Sequence, residues 1–306
     1  MSRATRVLVT GAAGQVGVDL IDTLAGVTVR GADEHYWADG RRIESGEFDV
    51  LALTRHEVDF TNEAALARAV VAARADVVVN LAAYTAVDRA EADSATCYAV
   101  NDAAVGVLSR AAAETGSHLI TISTDYVFDG AKGAAYVEDD VTGPLNVYGT
   151  SKLAGERRCS PADTIVRTSW VMGVRGRNVL RAITQRAASG DTVRFVNDQM
   201  GTVTSAPDLA RAIAALVRER PGGTWHVTNE GAATWFDVAA FAGHELGRDD
   251  GFATAISTSD LVPAPAATRP ARADLSTDRF RLAGFRPPPT WRDAVSRLLA
   301  ARDTSW

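Results

Sequence analysis

The sequence predicts an α/β protein built on a doubly wound parallel sheet, with a smaller C-terminal α/β lobe. Three observations lead there. Short β-branched runs alternate with stretches of helical apolar spacing over the first two thirds of the chain. A glycine-rich turn joins the first run to the first helix. After Asn229 the alternation gives way to helical pieces and loops. Strands that alternate with helices pair in parallel, because a parallel crossover needs a helix-length connection.

In chain order, residues 6–10 form a strand that stops at Gly11, and apolar residues return at helical spacing over 16–24. Segment 26–47 is polar, carries Tyr36 and Trp37, fits neither period, and reads as an inserted hairpin or loop. The strand 49–53 follows, then an alanine-rich helix over 63–74, the strand 76–80, a helix over 95–114 and the strand 118–123. Further strands are expected at 164–167 and 224–227, with helices at 149–158 and 207–218. Beyond them, 235–246 reads as helix and the Pro/Ala-rich stretch 261–270 as extended chain.

With 306 residues the chain can bury a large core without metals or disulfides. Hydrophobic residues at 46% and charged residues at 23% are those of a globular protein. The net charge of −6, with no long basic run, argues against nucleic acid or an anionic membrane as partner. Cys97 and Cys159 lack metal or redox spacing and read as packing residues in a reducing compartment. No stretch has the form of a signal peptide or membrane span, so a cytoplasmic protein is expected.

Thr10-Gly11-Ala12-Ala13-Gly14-Gln15-Val16-Gly17 lies between strand and helix, where a glycine fingerprint is informative. Gly11 permits the tight turn, Gly14 a close approach to pyrophosphate, and Gly17 helix-on-strand packing. The fold class is therefore Rossmann-like, with a dinucleotide held by Gly11, Gly14, Gln15, Val16 and Gly17. An acid at the end of the second strand favours NAD, whereas an arginine accommodates the 2′-phosphate of NADP. If that strand is 50–53, it ends in Thr54-Arg55-His56, which favours NADPH, with Asp59 and Phe60 passing the adenine. A rival register makes 27–30 the second strand and brings Asp33 to the ribose, favouring NADH. The first register is preferred.

Tyr148-Gly149-Thr150-Ser151-Lys152 puts a phenol and an ammonium four residues apart, on one face of a helix starting near Asn146. The ammonium is expected to lower the phenol's pKa and make Tyr148 a general acid. The strand ending Thr121-Ile122-Ser123-Thr124-Asp125-Tyr126 brings hydroxyls to the same sheet edge, and Thr124 can bond a substrate carbonyl. Ala82, Ala83 and Thr85 end another strand at that edge and border the cofactor, with Asn101 on a helix beside them. His118 and His226 read as ordinary strand residues, and Asp139 and Asp140, in Glu138-Asp139-Asp140, as a solvated turn rather than a metal site.

Beyond these residues stand Ala82-Ala83-Tyr84-Thr85-Ala86-Val87-Asp88, Val127-Phe128, Pro144-Leu145-Asn146-Val147, Leu153-Ala154-Gly155-Glu156, Arg167-Thr168-Ser169-Trp170-Val171, Asn197-Asp198-Gln199 and Arg269-Pro270. Over nearly the whole chain this set resembles the extended short-chain dehydrogenase/reductase family, and in its finer pattern the dTDP-4-dehydrorhamnose reductase branch. The resemblance implies reduction of the C4 ketone of a dTDP-4-keto-6-deoxyhexose, with NADPH as donor and NADH as the alternative. Carried onto this chain, Tyr148 protonates the alkoxide, Lys152 holds the ribose and tunes Tyr148, and Thr124 orients the carbonyl. Thr85, Val87, Asp125, Tyr126 and Trp170 border the sugar, and Arg269 meets the diphosphate. Residues 1–172, with segments near 205–228 returning to them, are then the NADP-binding domain, and 173–306 mainly the substrate lobe.

Departures are the length of 26–47 and Gly201-Thr202-Val203-Thr204, where the branch usually has proline before the last threonine. Asp19 aligns with one acid of a magnesium-bridged dimer contact seen in some members. Its partners are not evident, so no metal is expected, and the chain is read as a monomer or homodimer. Three alternatives stand beside this reading. One is a sister 4-ketoreductase for another dTDP-deoxysugar. Another is an epimerase or dehydratase of the same fold, and Tyr126 after Asp125 argues against the dehydratase. The third is a non-catalytic regulatory subunit of the methionine adenosyltransferase type, against which the intact Tyr148 and Lys152 argue.

Overall fold

The computed structural model describes residues 3–302. The first half runs β1 (Thr5–Thr10), α1 (Gln15–Leu24), β2 (Phe48–Leu53), α2 (Glu63–Ala73), β3 (Val77–Asn80), α3 (Val87–Ala90) and α4 (Ser94–Tyr98). After a π-helical turn at Ala99–Ala103 come α5 (Ala104–Thr115), β4 (His118–Thr124), α6 (Val147–Glu156) and β5 (Thr164–Thr168). Next are β6 (Val171–Met172), α7 (Val179–Ala188), β7 (Val193–Val196), β8 (Met200–Thr202), β9 (Thr204–Ser205), α8 (Ala206–Glu219) and β10 (Gly223–His226). The chain continues through β11 (Ala232–Thr234), α9 (Trp235–Glu245), β12 (Ala253–Ile256), α10 (Asp278–Leu282) and α11 (Trp291–Ala300). No helix among the described residues is long and apolar enough to cross a membrane.

Six strands form one parallel sheet in the order β10-β5-β4-β3-β1-β2. From β1 the chain moves outward to β2, then returns past β1 to β3. The order therefore reverses between β1 and β3, and a crevice opens at their carboxyl ends, where ligands of such sheets bind. Val7 and Val9 on one face of β1 pack with Leu20 of α1 and Leu209, Ile213 and Leu216 of α8. Leu8 on the other face joins Leu66 and Val70 of α2 and Leu108 of α5. A separate core gathers Met172, Leu180, Ile183, Val238, Phe252, Trp291 and Leu298.

Segment 26–47 contains no strand, so the hairpin alternative and the rival register through 27–30 both fall. It is a run of turns that buries Tyr36 and Ala38. Distant arginines satisfy its carbonyls. Arg211 donates to Asp33 and Tyr36, Arg218 to Arg41 and Arg42, and Arg297 to Gly31.

Asp139 and Asp140 lie in a turn as expected, Asp139 exposed and Asp140 half-buried, but each has a cation beside it, and Glu138 does not share their exposure. Glu138 is buried and accepts from the His226 amide, Asp139 pairs with Arg279, and Asp140 pairs with Lys132. Local sequence shows the three carboxylates but not the cations brought to them. Stretch 261–270 is non-helical as expected but bends at 262–263 and 266–267 rather than running extended, and it is pinned by Ala267 N to Asp88 and by Asn146 Nδ2 to the Thr268 carbonyl.

Candidate active site

The glycine turn is built by contact as much as by φ. Gly11 has φ +66°, and a Cβ there would lie 2.6 Å from the Ala82 nitrogen. A Cβ on Gly17 would lie 2.3 Å from the Gly11 carbonyl oxygen. At Gly14 the nearest atom to an added Cβ is the Gly11 oxygen at 3.2 Å. Among the described residues, no side chain caps the N-terminus of α1 and no acid stands in its first turn. Free N–H groups at the positive end of a helix suit a phosphate, so the turn fits the pyrophosphate of a dinucleotide.

One cleft of about 1120 Å³ runs from this turn across the sheet edge. At one end it is walled by Arg55, Asp59 and Phe60, in the middle by Ala82, Ala83 and Thr85, and at the far end by Val87, Thr124, Asp125, Tyr126, Tyr148, Lys152 and Trp170. Gly11, Gly14, Gln15, Val16 and Gly17 also line it.

Two expected site residues do not line this cleft. Asn101, 1% exposed, lies in the π-helical turn and clamps the Tyr84 backbone, accepting from its N–H at 2.9 Å and donating to its C=O at 3.0 Å. It shapes the wall from behind. Arg269 is engaged by Asp88 through two hydrogen bonds of 2.6 and 2.5 Å, and this contact holds the Asp88 carboxyl down at about 2.

Ser123 lines the cleft beside Thr124, as do Thr54, His56, Tyr84, Thr168, Ser169 and Leu209, to which the sequence assigns no site role. Thr168 and Ser169 follow the logic already applied to Thr124, since both stand at the carboxyl end of a sheet strand. Leu209 comes from α8, and nothing local in the sequence signals its arrival.

Helix α6 starts where Asn146 Oδ1 accepts from the Gly149 N–H at 2.8 Å. Two glycines let it approach its neighbours closely. A Cβ on Gly149 would lie 2.2 Å from the Tyr126 carbonyl oxygen, and one on Gly155 would lie 2.1 Å from that of Asn101. Tyr148 is thereby set edge-on to Tyr126, ring centres 5.6 Å apart, and Lys152 is buried beneath the sheet edge.

The expected lowering of the Tyr148 pKa is not found. Burial pushes the phenol well above its usual value, and contact with the Thr124 hydroxyl pulls only partly against this. Lys152 is turned away, donating from Nζ to the Ile122 carbonyl at 2.5 Å, and burial lowers it to about 8. A phenol so placed keeps its proton at neutral pH, which suits a donor to an alkoxide.

Thr124 Oγ1 donates to Asp125 Oδ1 at 2.9 Å. Asp125 is 2% exposed, and burial raises its carboxyl from 3.8 to about 7. An acid whose folded pKa exceeds its unfolded one supports the fold below the unfolded value and loses that support as pH rises through the folded value. Asp125→Asn, which mimics the neutral form, is therefore expected to raise Tm more at pH 8 than at pH 5. Thermal melts at the two pH values test this, and equal shifts would contradict it.

Trp170 adopts φ +45°, a left-handed conformation that is strained for a bulky side chain. Its indole stacks on Trp235, with centroids 3.9 Å apart and planes 13° from parallel. Asp19, 3% exposed, is paired with Arg175 at 2.8 Å, and that guanidinium also holds Asp22 at 2.9 Å. Burial raises Asp19 to about 6. The described residues include no group of three or more acids, histidines or cysteines placed to hold a metal.

A family model described as the RmlD substrate binding domain matches residues 5–303. The chain is 39% identical over 309 residues to dTDP-4-dehydrorhamnose reductase of Mycobacterium tuberculosis, covering 98% of this chain and 94% of that one. It is 37% identical over 296 residues to dTDP-4-keto-6-deoxy-D-glucose reductase of Streptomyces niveus, covering 95% and 96%. Among solved structures, dTDP-4-dehydrorhamnose reductase of Bacillus anthracis in complex with NADP superposes with TM-score 0.86 at 30% identity, covering 97% of this chain and 99% of that one.

Proposed function

The chain belongs to the RmlD substrate binding domain family, and from that premise we propose that it reduces the C4 ketone of a dTDP-4-keto-6-deoxyhexose, converting dTDP-4-dehydrorhamnose to dTDP-L-rhamnose. It is an NADP-dependent oxidoreductase of the short-chain dehydrogenase type. NADPH, when bound, supplies the hydride.

The observation that carries the reading is the single cleft joining the glycine turn to Tyr148, Lys152, Thr124 and Trp170. In this assignment Thr124 orients the carbonyl and Tyr148 gives its proton to the oxygen formed at C4. Lys152 holds the ribose, and Thr85, Val87, Asp125, Tyr126 and Trp170 border the sugar. Arg55, Asp59 and Phe60 take the adenosine end, where the positive charge of Arg55 suits a 2′-phosphate. Arg269 reaches the diphosphate once released from Asp88. Residues 1–172, joined by 205–228, form the NADP-binding part and 173–306 mainly the sugar-binding part. The enzyme works in the cytoplasm as a monomer or homodimer.

A second reading, a 4-ketoreductase for another dTDP-deoxysugar, is favoured by the similarity to the Streptomyces niveus protein and by the altered stretch 201–204 beside Trp170. Purified protein given NADPH, then NADH, with a panel of dTDP-4-ketosugars separates the readings. Oxidation of NADPH with dTDP-4-dehydrorhamnose, and dTDP-L-rhamnose seen by NMR, supports the first. Turnover of another sugar alone supports the second. Tight NADPH binding without any turnover overturns both and favours a regulatory subunit.

A further inference from the structure

Asn197-Asp198-Gln199 is a motif that the reaction itself does not use. In the structure Asp198 accepts from the N–H and hydroxyl of Thr258 at 2.8 and 2.7 Å, and Gln199 donates to the same hydroxyl at 2.9 Å. Asn197 Oδ1 lies 3.0 Å from Thr234 Oγ1, and Thr234 caps the helix whose first residue is Trp235. Strands β8 and β11 pair so that Gly201 stands opposite Ala233 and Met200 opposite Thr234.

That ribbon therefore carries two contacts to one indole. A Cβ on Gly201 would lie 2.7 Å from Trp170 Cε2, so only glycine admits the ring there, and Trp235 stacks on it at 3.9 Å. Trp170 lines the cleft, whereas Trp235 does not. A large aromatic held in a strained backbone conformation persists when its surroundings fix it from several sides.

We propose that Trp235 is a positioning residue for the sugar, holding the Trp170 indole as a fixed wall at the far end of the cleft. The 6-deoxyhexose would lay its carbon-bound hydrogens and C6 methyl against that wall. The Asn197-Asp198-Gln199 motif sets the ribbon that delivers Trp235. The identity of the ligand rests on the function proposed above, while the positioning of Trp170 rests on the stack itself.

The test compares wild type, Trp235→Ala, Trp235→Phe and Asn197→Ala as full chains with NADPH and the dTDP-ketosugar that wild type reduces. Two stacked indoles give an exciton couplet in circular dichroism, which Trp235→Ala should abolish. The same variant should raise KM for the sugar nucleotide about tenfold, the scale of one aromatic pair, with kcat and KM for NADPH within about twofold. Trp235→Phe restores a ring beside Trp170 and should recover most of the KM. Asn197→Ala should weaken the couplet and raise the sugar KM together, so the idea stays testable if the alanine variant at 235 does not fold.

An unchanged sugar KM with the couplet lost would overturn the proposal. So would parallel damage to the sugar and NADPH constants that phenylalanine does not rescue. Wild type inactive on every dTDP-4-ketosugar would overturn the functional reading, whereas active wild type with a KM insensitive to Trp235 overturns only the positioning role.

Discussion

Tyr148→Phe is expected to lower turnover by about 10²–10⁴-fold, the usual contribution of a positioned general acid, with NADPH affinity within about twofold. The substitution is clean because the ring's packing survives. Phenylalanine still meets Tyr126 edge-on, and Gly149 still sets the helix against the Tyr126 carbonyl. Only the hydroxyl is lost. Single-turnover kinetics with cofactor titration separate chemistry from binding. Because burial holds the phenol above its usual value while Lys152 is lowered to about 8, the alkaline fall in kcat/KM should come from Lys152, near pH 8. A Tyr148→Phe enzyme as active as wild type would remove this residue from the chemistry.

Arg167→Ala is expected to cost about 3–5 kcal/mol of stability, the scale for breaking a buried ion pair from one side. Arg167 and Glu156 are 5% and 9% exposed and joined by paired hydrogen bonds of 2.9 and 2.7 Å. The guanidinium also donates to the Glu138 carbonyl at 3.2 Å and lies over the Phe128 ring at 5.1 Å. Alanine leaves the Glu156 carboxylate buried without its cation. Since Glu156 ends the helix that carries Tyr148 and Lys152, turnover should fall along with stability. The double variant Arg167→Met, Glu156→Leu should recover most of the stability, because replacing both charges by apolar groups removes the desolvation cost too. Denaturant melts of the three proteins decide this, and a single variant within about 1 kcal/mol of wild type would mean the pair is not buried in solution.

The parallel sheet was legible because β1, β3, β4 and β5 are short β-branched runs closed by a residue that stops them, such as Gly11 after Thr10 or the Asp125 turn after Thr124. Tyr148 and Lys152 were legible by spacing, since four residues set two side chains on one helical face. What spacing does not carry is direction. It gave no sign that the Lys152 amino group turns to the Ile122 carbonyl, or that burial governs Tyr148. Asn101 and Arg269 were singled out for ligands, yet each meets a protein partner, the Tyr84 backbone and Asp88, which lie 17 and 181 residues away along the chain. Trp235 carries no local signal for the same reason, because its role depends on a ring brought to it by a ribbon.

The turns of segment 26–47 rely on donors that lie 178 residues further on at Arg211, 176 at Arg218 and 266 at Arg297. During synthesis the chain emerges from its amino end, so these carbonyls stay hydrated until α8 has left the ribosome, and Gly31 waits for α11. Protease resistance of segment 26–47 is thus expected to be acquired late and in two instalments. Nascent chains released before α8, between α8 and α11, and after α11 should be nicked there progressively less.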